Sequence, residues 1–527
     1  MQKQPARLWI TALFLGWCFD FLFFKHSPGI SFAIYAIATL TGGFILLWLD
    51  GIRPARAALL LLPFILFFII ITFVRLEPLS VFLAHAFCLF LMAGLAVTYR
   101  GGQWLSYSLA DYFARGFGLF SSLAIGPITF MSTGRGSQSE TDIPQKSSIR
   151  PWPVLRGILL AIPIVAFFAA LLASADLVFA QRLNSLMALF RLDNLPEYLF
   201  RLAYILVIAY ILAGIYLHAA QRSTDEKLLG LDKPLLAPFF GFTEAAIVLG
   251  SVVLLFAAFV VIQFQYFFGG QANINLAGFT YADYARKGFG ELVTVAVFAL
   301  LLFLGLTAIT RRDGSTRQKI FSGLGIALLA LVAVMLVSAY QRLVLYENAY
   351  GFTRLRAYTH VFMIWVAVLL AVVVLLDLLN RQRAFALAAL LASLGFAISL
   401  MLLNVDTFIF QRNLARFEQG QSLDVGYLAS LSPDAIPAMV TTYQTPGINT
   451  TIRDSIGAVL ACLHYQDANK HPDQSWQSFH FSDYWAKSSL QPVIASLASY
   501  RIDSTSWPVT VTTPLKTKYD CLSYVAD

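Results

Sequence analysis

The feature that most constrains this chain is a series of apolar runs, each about as long as a bilayer is thick. A hydrocarbon core about 30 Å deep takes roughly 20 helical residues to cross. Runs of that kind stand near 8–24, 30–49, 55–74, 79–98, 154–180, 198–220, 243–267, 291–310, 320–345, 357–379 and 385–405. In lipid every backbone amide must find its partner within the protein, so a spanning segment is a helix or part of a closed barrel, and runs this long select the helix. The expected fold is an all-α polytopic membrane bundle of about eleven transmembrane helices over residues 1–405. A small, mainly helical soluble domain is expected over 406–527. Only 13% of the residues are charged, against about 25% in an ordinary soluble domain, and that shortfall comes from the runs.

Orientation follows from Lys and Arg, which collect on the cytoplasmic side of short loops. With the N-terminus inside, inner segments hold 19 of the 37, outer connections 10, and the tail after residue 405 the other 8. Arg53 and Arg56, then Arg311, Arg312, Arg317 and Lys319, then Arg381 and Arg383 all fall in short inner loops. An odd number of spans then puts the C-terminal domain outside. The first run contains Asp20 and lacks a small-x-small cleavage site, which favours a retained helix over a signal peptide. The net charge of +8 is spread over these loops, so no basic face for nucleic acid is expected.

Three polar or amphipathic stretches interrupt the pattern. Residues 103–120 repeat Leu105, Leu109, Phe113 and Phe117 every four positions, with Ser108, Asp111 and Arg115 on another face. That spacing predicts a helix lying along the inner interface, followed by a polar linker to about residue 150. A second short amphipathic segment is expected at 183–190 on the outer surface. In the tail, Ser432-Pro433-Asp434 reads as a helix start, Asn449 as the cap of another, and 508–514 alternates like a strand.

The ionisable residues of the bundle gather toward one side. Asp20, Asp176 and Asp406 lie near the outer ends of their runs, and Glu291 begins one there. Outer connections add Asp283, Tyr284 and Arg286, then Arg342, Tyr346, Glu347, Tyr350, Arg354 and Arg356. An ionisable side chain within a membrane segment costs about 2.5–3.5 kcal/mol on insertion scales, so such a cluster marks either a functional outer pocket or helix pairing and anchoring. No phosphate-binding loop, His-Glu-x-x-His or Gly-x-Ser-x-Gly motif occurs, the histidines lack metal-ligand spacing, and neither a metal nor a cofactor is expected. Cys462 and Cys521 are the two cysteines of the tail. An outer location would let them form a disulfide, the alternative being two thiols packed apart.

Several separated motifs carry a resemblance. They are Gln263-Phe-Gln-Tyr-Phe-Phe-Gly-Gly270, Tyr281-Ala-Asp-Tyr-Ala-Arg-Lys-Gly-Phe289, Arg342-Leu-Val-Leu-Tyr346 and Ala349-Tyr-Gly-Phe-Thr-Arg-Leu-Arg356. Leu423-Asp-Val-Gly-Tyr-Leu428 and Leu431-Ser-Pro-Asp-Ala-Ile-Pro437 continue them into the tail. Over roughly 240–490 the chain resembles the bacterial multi-pass domain-of-unknown-function family 4173, close to family 4153. The resemblance implies a bacterial inner membrane protein and brings no reaction and no catalytic residues. The leading expectation is a non-enzymatic protein that senses or binds at the cell envelope through an outer polar pocket and a periplasmic domain. Its partners would be membrane lipid and an envelope protein or lipid-linked ligand. A transferase acting on a lipid-linked substrate and a transporter are the alternatives.

Overall fold

The computed structural model describes residues 5–136, 195–224, 228–230, 238–267, 289–311, 314–469, 475–505 and 507–521, with isolated positions between 165 and 182. Eleven helices among these residues are long and apolar enough to cross a membrane. They are α1 (Pro5–Phe23), α2 (Ile30–Leu49), α3 (Leu62–Val74, preceded by the turn Arg56–Leu59), α4 (Pro78–Thr98), α5 (Leu109–Gly136) and α6 (Leu195–Gln221), then α7 (Phe242–Phe267), α8 (Phe289–Ile309), α9 (Ser315–Tyr350), α10 (Arg354–Leu378) and α11 (Phe385–Leu403).

Contacts between helix ends give every helix a direction. Arg201 at the start of α6 bonds Asp20 at the end of α1, and the Ala55 amide before α3 bonds the Tyr99 carbonyl after α4. Phe240 before α7 bridges to Thr310 after α8, and Gln318 on α9 bonds Asn380 after α10. The described helices therefore alternate up and down without exception, and the chain leaves α11 at the end where α1, α3 and α9 finish. We call this the tail end.

The fifth spanning helix corrects the expectation for 103–120. Rather than an interfacial helix over 103–120, the chain makes a short turn at Gln103–Ser106 and then α5, which packs along α6 and continues to Gly136; the expected linker from 137 to 150 lies outside the described residues. Its mean hydropathy over the best window is 1.2, the lowest of the eleven. Ser121, Ser122 and Thr129 lower that value, yet each returns its hydroxyl to a carbonyl three or four residues back, so their polarity is cancelled inside the helix. At Gly214 on α6 an added Cβ would lie 2.8 Å from Leu123 Cα, a backbone approach of the small-residue kind that drives helix packing in lipid. The stripe Leu109, Phe113, Phe117 faces outward, with Phe113 79% exposed. Its expected partner was the headgroup layer; along a spanning helix it meets acyl chains. The run at 154–180 and the segment 183–190 lie outside the described residues.

The tail mixes helices with a small sheet. It comprises α12 (Val405–Glu418), α13 (Ile436–Gln444), α14 (Thr450–Ala468) and α15 (Phe481–Leu490), then β1 (Arg501–Asp503), β2 (Thr510–Thr512) and β3 (Lys518–Asp520) in antiparallel order β1-β2-β3. The alternation at 508–514 is thus the middle strand, with Val511 buried between Ile502 and Tyr519. Asn449 caps α14 by accepting from the Thr451 amide at 2.9 Å. Cys462 on α14 and Cys521 after β3 are joined, their Cα atoms 5.2 Å apart. The tail has no separate core. One cluster runs from Ala357 on α10 and Leu400 on α11 through Val405, Ile409 and Phe410 to Met439, Ile456 and Val511.

Candidate functional site

The tail is held to the bundle by a row of buried charges. Arg354 opens α10, and Asp406 lies in the first turn of α12, where a carboxylate is favoured by the helix dipole. Arg354 Nε and Nη2 reach the two Asp406 oxygens at 2.8 and 2.7 Å, and the Ser432 amide adds a third bond at 2.6 Å. Asp406 is fully buried. Two residues on, Asp434 accepts from the Leu76 and Glu77 amides, both at 2.9 Å, and from Ser432 Oγ at 3.0 Å. Glu77 caps α4 through the Leu79 and Ser80 amides and accepts the Tyr358 hydroxyl. The path α12 to 432–434 to the α3–α4 corner to α10 is closed.

Ser432-Pro433-Asp434 opens a helix as expected, since Pro433–Ala435 form a 3-10 turn that runs straight into α13. It also does work the sequence did not announce: the Ser432 hydroxyl makes no cap, and Asp434 reaches a corner more than 350 residues earlier in the chain.

Beside this row lies a polar cavity of about 450 Å³. The bundle contributes Ser27, Pro28, Leu76, Pro78 and Arg354, and the tail contributes Ser432, Gln466, Ser478, His480 and Asp483 among others. The segment 475–480 forms its edge: the Ile30 amide bonds the Phe479 carbonyl at 3.0 Å, Ser27 bonds Ser478, and Ser475 bonds His26 Nδ1 at 2.9 Å. His480 Nδ1 donates to the Ser478 carbonyl. Burial holds the His480 imidazole below its usual range, with nearby His85 adding to the effect, while the Ser478 carbonyl, Asp483 and Asp434 oppose it. A larger cavity of about 930 Å³ lies between α4, α5 and α11, but among the described residues Tyr112 and Ser393 are its only polar side chains and its wall is mostly Phe and Leu. Size favours that cleft. Chemistry favours the smaller one, because specific recognition needs convergent polar groups.

The residues singled out from sequence are distributed rather than pooled. Arg354 lines the polar cavity, with Asp406 behind it. Asp20 is paired with Arg201 in a forked bond of 2.6–3.1 Å on the α1–α6 side. Glu347 meets His360 Nε2 at 2.6 Å, both side chains largely buried, while Glu347 Oε1 and His360 Nδ1 find no hydrogen-bond partner among the described residues. Arg342 is buried one turn below. Tyr346 stacks near Tyr350 and under the Arg356 guanidinium, at 5.0 and 4.1 Å, and Tyr350 is exposed. Glu291 is exposed in the first turn of α8. Asp176 accepts from the Phe179 amide. Asp283, Tyr284 and Arg286 lie outside the described residues. Sequence reasoning passed over Glu77, Arg201, Tyr358, Gln466 and His480, whose roles depend on which helix ends meet.

Eleven alternating spans sharing a core with a C-terminal cap define a multi-pass membrane protein. Within that class the chain belongs to the family described as domain of unknown function (DUF4153), whose profile matches residues 57–442. That stretch covers nine of the eleven helices, α3 to α11, and ends inside α13. No curated protein and no solved structure matches the chain.

Proposed function

We propose that this is a protein of the bacterial cytoplasmic membrane whose tail end faces the periplasm, and that it binds a polar envelope ligand in the 450 Å³ cavity without chemically transforming it. The carrying observation is the cavity itself, floored by helix ends and roofed by the tail, with an arginine, a histidine, an aspartate, a glutamine and several hydroxyls on its wall. Such a mixed set suits hydroxylated or zwitterionic groups. It lacks the paired acids or nucleophile–base dyad that hydrolysis or transfer would use. A ligand bridging roof and floor would stabilise the docked tail, which is how occupancy becomes a signal.

Two features support the orientation. With α5 as the fifth span, Arg135 moves to the tail end, so the charge bias rests on the short connections. Counting each connection with the first turn that follows it, those at the far end carry Arg53, Arg56, Arg311, Arg317, Lys319, Arg381 and Arg383, against Lys25, Arg75, Arg354 and Arg356 at the tail end. The Cys462–Cys521 bridge suits an oxidising compartment.

Native mass spectrometry of the full chain in lipid nanodiscs tests the binding. A polar species should accompany the wild type and be lost from a Gln466→Leu/Asp483→Asn variant that melts at the same temperature. Equal retention by both, or no bound species in either, overturns the reading. A reporter active only in the periplasm, fused after Asp527, should be active.

A further inference from the structure

The tail carries a surface unlike that of a water-exposed cap. Trp476, Phe479, Tyr484 and Trp485 are 53%, 36%, 56% and 57% exposed within ten residues of each other. On α15 the opposite face, Ser482, Ala486 and Leu490, is buried against the rest of the tail, so Tyr484 and Trp485 point away from the protein. Isolated exposed hydrophobics need no explanation, but four large aromatics on two adjacent turns form a patch that does.

The patch is continuous with the lipid-facing surface of the bundle. On α1 the rings of Phe14, Trp17 and Phe21 are all more than half exposed, and neighbouring centroids stand 6.1 and 5.9 Å apart. The next ring in this ladder belongs to the tail: Trp476 lies 6.4 Å from Phe21. The Phe479–Tyr484 and Phe481–Trp485 contacts, at 6.2 and 5.0 Å, carry the aromatic surface on along α15. Lys25, two residues past the end of α1, carries a 67% exposed side chain and pairs with Glu197 at 2.8 Å. Trp and Tyr with a nearby lysine are the side chains favoured at the boundary between hydrocarbon and headgroups, where an amphipathic ring meets both media.

We propose that residues 476–485 are seated in the headgroup layer of the leaflet at the tail end, so that the tail lies against the membrane on its α15 side. The occupant of the patch is bilayer lipid, because the ladder from α1 already has lipid along its length. The sheet sits one layer further from the bundle, on α14 and the turn at 425–428, and is turned to water. This seating does not rest on the ligand reading above. It would nevertheless bring Ser478, His480 and Asp483 of the polar cavity to the level of lipid headgroups.

The test uses the full chain in nanodiscs of phosphatidylethanolamine and phosphatidylglycerol. A photo-reactive p-benzoylphenylalanine replaces Trp485 in one sample and Trp507, 61% exposed on the β1–β2 connection, in another. Irradiation should give a lipid adduct as the main product at 485 and little or none at 507. Equal lipid yields at the two positions, or a cross-link from 485 to a second copy of the chain, would overturn the proposal. Hydroxyl-radical footprinting of the unmodified chain supplies a check free of substitutions. Oxidation should spare Trp476 and Trp485 and mark Trp507, and oxidation of all three alike would be contrary.

Discussion

Replacing Asp406 by Asn removes the charge on which the tail's attachment turns. Asp406 is fully buried, and both its oxygens are committed: one to Arg354 Nε, the other to Arg354 Nη2 and the Ser432 amide. An asparagine keeps one acceptor but in either orientation turns an NH₂ toward at least one donor, Arg354 Nε in the less costly one. Charge-assisted bonds are worth about 1.5–3 kcal/mol each, and stripping one partner from a buried pair costs about 3–5 kcal/mol. The Arg354 side chain is 24% exposed and recovers some hydration, so the lower end of that range, about 3 kcal/mol, applies. At about 1.4 kcal/mol per tenfold, the undocked population should rise roughly a hundredfold. Trypsin reports this directly, because Arg412 and Arg416 on α12 are cleavable only when the tail opens, and cleavage tracks the open population when reclosing is fast. An Arg354→Leu/Asp406→Leu double variant should recover most of the loss, since it leaves no buried charge unpaired. A change of less than about 0.5 kcal/mol in Asp406→Asn, the size of an ordinary surface substitution, would refute the reasoning. So would a double variant worse than the two single ones together.

Three further perturbations follow from the same geometry. Gly351→Ala should destabilise the α9–α10 corner by more than about 1 kcal/mol in a thermal melt, because φ there is +84° and a Cβ would lie 2.7 Å from Asn413 Oδ1 and Arg416 Nη1. Reducing the Cys462–Cys521 bridge, which closes 59 residues, should cost the tail about 4 kcal/mol in the chain-entropy model, read as faster proteolysis of β1–β3 at unchanged bundle stability. His480 is held below its usual range, so the folded tail resists protonation while the unfolded chain does not. Docking should be strongest above the unfolded value of about 6.5 and weaken as pH falls through it, with the slope flattened in His480→Gln.

How much of this was legible in the sequence depends on whether the signal was local. Ten of the spanning helices are apolar runs that length alone identifies. The α5 helix hid because Ser121, Ser122, Gly126 and Thr129 dilute its hydropathy, and nothing local says that their hydroxyls bond the helix's own backbone or that Gly214 waits to receive them. Arg354 and Asp406 could each be named as an unusual charge, but their pairing needs the register of α10 against α12. The second role of Asp434, beyond its place in a helix start, was hidden for a related reason. Serine, proline and an acid in a row describe a helix start well, and only the tertiary arrangement shows the carboxylate turned toward the Leu76 and Glu77 amides. Cys462 and Cys521 could be named as candidates for a bridge because they are the two cysteines of the tail, but whether they pair or pack apart depends on their separation in the fold. The outer strands β1 and β3 are three residues each, too short for an alternating pattern to register.

The bonds that dock the tail also set a timetable for making the protein. Ser27 is closed by Ser478, 451 residues later, and the Leu76 amide by Asp434, 358 residues later. At roughly 5–20 residues per second, a ribosome needs between about twenty seconds and a minute and a half to cover such separations. Throughout that interval the α1–α2 and α3–α4 loops stand at the membrane surface with amides unpaired and helix ends uncovered. The tail thus acts as a latch thrown after the whole bundle has been made. A nascent chain halted before Ser478 would display the same open face as a mature molecule whose tail has let go, and anything that recognises that face would treat the two alike.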